Sequence, residues 1–257
     1  MKASINGIEI NYEVSGKESA PWLVLSHSLA CSVRMWDPQV DAFQSRFRIL
    51  NYDMRGHGAT SAPPGPYTLD VLADDVLGLV SFLKIKTAAY CGLSIGGMIG
   101  QTLAIRGAGP FTKMVLADTT HTQPPEAIKQ WEDRIAVAKS KGMAALVDST
   151  MERWFTEPYR KKNSPEFRKI RELVEKTPVA GYVGCCQAIV KLDTTARLKD
   201  IKLPVLAITG EQDGAAAGTK YIGEHVPGAR FVNIPQAAHI ANIEQPEAFT
   251  RGLREFL

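Results

Sequence analysis

Short apolar runs alternate with longer amphipathic stretches from the start of the chain to Ala117. Residues 8–14 (IEINYEV) alternate apolar and polar positions, as an outer strand of a sheet does. Residues 22–25 (WLVL), 48–52 (RILNY), 88–91 (AAYC) and 114–117 (MVLA) are short apolar segments that read as buried strands. Between them, Leu69, Leu72, Val76, Leu79, Val80 and Leu83 fall at helical spacing, and residues 95–106 form a helix of small and apolar residues. Strands and helices in alternation predict a parallel sheet covered on both faces.

The alternation stops after residues 114–117. Over residues 119–197 the strand signal nearly vanishes, and helical segments at 131–145, 146–155 and 165–175 are separated by Pro and Gly. It resumes with a strand at 205–209, a helix at 219–225, a strand at 230–234 and a terminal helix at 246–257. The expectation is one α/β core, residues 1–118 and 198–257, interrupted by a helical cap at 119–197. There is no internal repeat and no low-complexity segment.

Composition narrows the partners. With 45% hydrophobic and 22% charged residues, the 257-residue chain has the make-up of a soluble globular protein. A formal net charge of +3 is too small to imply a nucleic-acid or membrane partner, and the one basic cluster, residues 160–162, reads as solvated surface. Cys31, Cys91, Cys185 and Cys186 do not make a disulfide framework, since the last two are adjacent and a bond between them would be strained. Free thiols fit a reducing compartment. Residues 1–10 lack a basic segment followed by an apolar run, and no stretch approaches the roughly 20 apolar residues of a membrane span, so a cytoplasmic location is expected. No metal cluster, phosphate loop or dinucleotide fingerprint is present, so no metal or cofactor is expected. Nothing in the sequence reports oligomeric state.

The candidate chemistry begins at Gly92-Leu93-Ser94-Ile95-Gly96, which follows a buried strand and opens a helix. This resembles the G-x-S-x-G nucleophile elbow of the α/β-hydrolase fold. A serine on so sharp a turn needs hydrogen in place of a side chain two residues to either side, and Gly97 lets the helix approach the sheet. The new helix supplies unpaired amides and the positive end of its dipole, suited to a developing oxyanion.

A serine nucleophile needs a base, and the base needs an orienting acid. Of five histidines, only His225 and His239 lie beyond the cap. His225 sits in a predicted helix and reads as surface, whereas His239 follows the strand at 230–234 at the sheet edge where Ser94 stands. The acid favoured by chain order is Asp213, just past the strand at 205–209. Glu211 competes but is expected to face solvent, and Asp118 competes because it follows the strand at 114–117, where some hydrolases place the acid. The loop after residues 22–25 should complete an oxyanion hole, with the backbone amides of Leu29 and Ile95 as donors. His27 in that loop reads as a backbone-bonding histidine, with a substrate-binding role the alternative. His57 is expected to steady the loop after the strand at 48–52.

Asp53-Met54-Arg55-Gly56-His57-Gly58, the segment from Ala62 to Thr68 (APPGPYT), and the run from Gly92 to Gln101 together resemble the 3-oxoadipate enol-lactonases. The likeness continues through Arg34 to Gln39, the cap sequence Arg153-Trp154-Phe155-Thr156, and His239 to Glu244, and so covers nearly the whole chain. The resemblance implies an eight-stranded, mostly parallel sheet with helices on both faces and a helical cap inserted after the sixth strand. It also implies hydrolysis of a small lactone or ester through an acyl-enzyme, in the degradation of aromatic compounds. Such a lactone carries a free carboxylate, which calls for a cation in the pocket. Arg134 and Arg153 are the candidates, solvated cap arginines being the alternative, and Trp131, Trp154 and Phe155 either line the pocket or form the cap core.

Two departures border the acyl pocket. His27-Ser28-Leu29-Ala30 stands where these lactonases commonly carry Asn-Ser-Leu-Gly, and residues 214–218 lack the usual proline. They leave the reaction type alone and bear on substrate. A carboxylesterase for neutral esters and a carbon–carbon bond hydrolase use the same residues and stay open, and a non-catalytic ligand receptor is the reading the full serine–acid–histidine set argues against.

Overall fold

In the computed structural model, which describes residues 1–257, the apolar runs join one eight-stranded sheet. Its strands are β1 (Lys2–Ile5), β2 (Ile8–Ser15), β3 (Trp22–Ser26), β4 (Arg48–Tyr52), β5 (Ala88–Leu93), β6 (Phe111–Ala117), β7 (Val205–Gly210) and β8 (Arg230–Ile234). Across the sheet they run β1-β2-β4-β3-β5-β6-β7-β8. β2 is antiparallel to β1 and β4, and every pairing from β4 to β8 is parallel. β5 and β7 are buried at every position, which requires cover on both faces. β1 is the strand that periodicity missed, because four residues carry too little alternation. Its legible mark was Asn6-Gly7, both at positive φ, the dipeptide that closes a two-residue hairpin.

The helices are α1 (Asp37–Phe43), α2 (Leu69–Phe82), α3 (Ile95–Ile105), α4 (Pro125–Lys141), α5 (Val147–Trp154), α6 (Glu157–Lys162), α7 (Pro165–Lys176), α8 (Val179–Ile189), α9 (Ala216–His225), α10 (Ala241–Glu244) and α11 (Pro246–Phe256). α1 packs with α11 and α2 with α3, while α3 lies along β5 and β6 and α9 along β7. No helix is long and apolar enough to cross a membrane. The order in which strands are added reverses about β3: β4 lies on one side and β5 on the other, so the loops after β3 and β5 face one crevice at the carboxyl edge.

All of α4 to α8 fall between β6 and β7, where α4 packs on α8 and α7 on α5. α4 begins six residues before the expected start of 131, because Pro125 occupies its first turn, and it ends at Gly142, whose φ is 77°. α7 is capped by Ser164, whose side chain accepts from the Phe167 amide. α6 and α8 were not legible. α8 has no polar face: most of its residues are buried, so it shows no amphipathic period.

The burial of α8 depends on Gly181. A methyl group there would sit 1.9 Å from the Gly56 carbonyl oxygen, so the helix meets the loop after β4 backbone to backbone. In an open helix, Gly→Ala gains about 1 kcal/mol of propensity. Here, overpacking against rigid backbone costs about 1–3 kcal/mol or more and outweighs that gain. Gly181→Ala is therefore expected to lower the urea midpoint, whereas Gly214→Ala, with nothing within 4 Å of its new methyl group, should leave stability within about 0.5 kcal/mol.

Candidate active site

Ser94 is the first residue past β5 and the N-cap of α3, with φ 59° and ψ −117°. Methyl groups would reach 2.2 Å from the Gly96 carbonyl oxygen at Gly92 and 2.3 Å from the Ser26 carbonyl oxygen at Gly96, so both glycines are required by close approach. The turn is held from outside. The Ser94 amide donates to the Ala117 carbonyl at 2.9 Å, and the Thr119 hydroxyl donates to the Ser94 carbonyl at 2.8 Å. Thr119 is in turn fixed by Thr219, whose hydroxyl accepts from the Thr119 amide and donates to its carbonyl.

His239 Nε2 lies 3.0 Å from Ser94 Oγ, and His239 Nδ1 lies 2.9 Å from Asp213 Oδ1. Asp213 accepts only, so Nδ1 carries the proton and Nε2 is left to accept from the serine hydroxyl. The same Asp213 oxygen takes the Ala215 amide at 3.0 Å. Glu211 is exposed, its carboxylate taking only the Gln236 amide at 3.4 Å. Asp118 is fully buried and accepts from the Gly210 amide at 2.8 Å, and its second oxygen has no partner. Burial, and then the charge of Asp213, hold the Asp118 carboxyl well above the usual carboxylate range. It makes no hydrogen bond to His239, so the structure brings Asp213 and not Asp118 to the imidazole.

The amides of Leu29 and Ile95 donate to no acceptor in the protein, and both residues are buried. The loop carrying Leu29 is stapled by two histidines. His27 Nε2 accepts from the Met54 amide at 3.0 Å while its Nδ1 donates to the Ser28 carbonyl at 2.7 Å. His57 Nε2 accepts from the Ala30 amide at 2.9 Å while its Nδ1 donates to the Arg55 carbonyl at 3.2 Å. Both rings are fully buried, and neither keeps a nitrogen for a ligand. The substrate-binding alternative for His27 is corrected on that ground: it is a backbone staple.

On the cap side, the Trp154 ring centroid stands 6.0 Å from that of His239. Arg134 lies over the Trp131 ring at 4.7 Å. Arg153 donates to the Ser149 carbonyl and is exposed over much of its surface. The two arginines lie near each other and near Tyr182 and Cys186 of α8, and neither has a carboxylate partner. Burial lowers the pKa of Arg134, and burial followed by the charge of Arg134 lowers that of Arg153 to about 10. Glu244, which sequence reading passed over, is buried between the His239 loop and the cap. An acidic residue inside the apolar run after His239 was its available signal. No group of side chains is arranged to hold a metal ion.

Residues 21–246 match the family model of the alpha/beta hydrolase fold. The chain is 35% identical to 3-oxoadipate enol-lactonase 2 of Acinetobacter baylyi, over 96% of this chain and 92% of that protein. Among solved structures, an enol-lactonase from Burkholderia xenovorans superposes with a TM-score of 0.95 at 41% identity, covering 100% of this chain and 99% of that one. A thermophilic esterase from Thermogutta terrifontis superposes at 0.91 with 26% identity, over 99% and 96%.

The two stapling histidines make stability depend on pH. Burial lowers His27 from 6.5 to about 4 and His57 from 6.5 to about 3. Below pH 6.5 the unfolded chain binds protons that the folded chain refuses. Their stabilising contribution is therefore complete above that pH and is lost as the pH falls towards 4 and then 3. Each group steepens the loss by up to about 1.4 kcal/mol per pH unit. Urea midpoints measured from pH 7 to 4.5 should fall, and His27→Asn should flatten that fall; an unchanged slope in the variant would remove His27 from this account.

Proposed function

Because the chain belongs to the α/β-hydrolase fold family, we propose that it is a serine hydrolase that opens a small carboxylate-bearing enol-lactone through an acyl-enzyme, with residues 119–197 as a cap over the site. The observation that carries the mechanism is the hydrogen-bonded line from Ser94 through His239 to Asp213. Similarity to enol-lactonases over the length of the chain supports ester or lactone hydrolysis.

In the proposed cycle, Ser94 Oγ attacks the lactone carbonyl while His239 Nε2 takes its proton. Asp213 holds the imidazole in the required tautomer and stabilises its charge. The Leu29 and Ile95 amides, free of other acceptors, receive the oxyanion at no cost in reorganisation. Collapse breaks the ring carbon–oxygen bond, and His239 returns the proton to the departing enol oxygen. A tethered alkoxide would reclose on the acyl-enzyme, but an enol tautomerises to a ketone and loses its nucleophile. Water, activated by His239, then releases the acid. Arg134 and Arg153 support the substrate class. Both are cap cations that lack a carboxylate partner, and a substrate carboxylate would supply one.

Ser94→Ala should abolish both turnover and labelling by a fluorophosphonate probe, while Asp213→Asn should lower kcat by about 10³- to 10⁴-fold. Equal labelling of wild type and Ser94→Ala would end the serine reading. For the pocket, Arg134→Ala and Arg153→Ala should each raise KM for a carboxylate-bearing enol-lactone by about 10- to 100-fold, the worth of a charged hydrogen bond, with p-nitrophenyl acetate turned over as before. A wild type that prefers p-nitrophenyl acetate to the lactone would point to a neutral-ester carboxylesterase instead.

A further inference from the structure

Glu244 makes no hydrogen bond to Ser94, His239 or Asp213, yet its carboxylate is buried and bonded on two sides of the site. Oε1 accepts from the Thr156 amide at 3.0 Å and from the Thr156 hydroxyl. Oε2 accepts from the amide of Ala238, the residue before His239, at 2.9 Å. Two weaker links flank it. The Ile240 amide donates to the Trp154 carbonyl at 3.1 Å, and the Tyr159 hydroxyl donates to the Ile243 carbonyl at 3.3 Å. The chain on either side of His239 is thus tied to the junction of α5 and α6, and Trp154 at that junction faces the imidazole.

A buried carboxylate persists where several donors meet its charge. Here those donors come from two segments more than eighty residues apart in sequence, and the charge is the joint between them. We infer that Glu244 is a positioning residue: it holds the His239 loop in register with the cap so that Nε2 faces Ser94. It exchanges no proton with substrate. This rests on the serine mechanism proposed above. A glutamine at 244 could not replace it, since its NH2 group would face either the Ala238 or the Thr156 amide, donor against donor.

The experiment measures kcat and KM with p-nitrophenyl acetate per titrated active site, and the second-order rate of fluorophosphonate labelling. Glu244→Gln, Thr156→Val and Thr156→Ser are compared with wild type. Glu244→Gln is expected to lower kcat per site and the labelling rate together by about tenfold or more, as a sub-ångström displacement of the base would, with KM within about threefold. Thr156→Val should lower both by a smaller factor, and Thr156→Ser, which keeps the hydroxyl, should restore them. Rates per site within twofold of wild type for Glu244→Gln, or a change in KM alone, would overturn the inference. If Glu244→Gln fails to fold, the Thr156→Val and Thr156→Ser pair decides it: equal rates would refute the clamp. A wild type that does not label fails the serine mechanism itself, whereas a wild type and Glu244→Gln that label equally fast fail only the role of Glu244.

Discussion

The geometry of the site follows from one strained turn, the step from β5 into α3 at Ser94. A non-glycine residue at φ 59° costs about 1–2 kcal/mol, and it persists because its surroundings over-determine it. Its amide is bound by the end of β6, its carbonyl by Thr119 and by the first turn of α3. The two flanking glycines let α3 and the loop after β3 come within contact of the turn. On the proposed reading, that closeness is what lets the Ile95 and Leu29 amides serve the oxygen formed at Ser94. The histidine and the acid then need only arrive at the same sheet edge, which the parallel order of β5, β6, β7 and β8 ensures.

What could be read from sequence was what is locally encoded. The elbow shows itself because strain demands glycine at fixed spacing, and the order Ser94, Asp213, His239 follows from strands that each declare themselves as short apolar runs. Residues whose work is done across the fold stayed hidden. β1 is too short for periodicity, α8 is apolar on all sides, and Glu244 acts on partners far along the chain. His27 was ambiguous for a related reason: only the positions of the Met54 amide and the Ser28 carbonyl reveal that both its nitrogens are spent.

The charges around the turn are arranged so that neighbours do not compete. Asp118 and Asp213 end adjacent strands, and two buried carboxylates so placed cannot both ionise cheaply. Asp118, with a single amide donor and an orphaned oxygen, is the one driven towards the neutral form. Asp213 keeps the amide of Ala215 and the imidazole of His239. The paired histidines behind the loop after β3 are neutral for the same reason of burial, so they fix that loop without adding a positive charge to it.

On the proposed reading, core and cap then divide the task by charge. The core carries the chemistry, while the cap carries Arg134 and Arg153 and no chemistry. Such a division works only if the cap is seated on the core with little play, since a carboxylate gripped by the cap must bring its carbonyl to Ser94 within about half an ångström. Two kinds of seam meet that need. Gly56 against Gly181 is a backbone contact with no side chain to yield. Glu244 between Thr156 and Ala238 is a charged joint placed beside the base itself. The first fixes how deep α8 lies, and the second fixes the cap against the one residue whose position the reaction tests at every proton transfer.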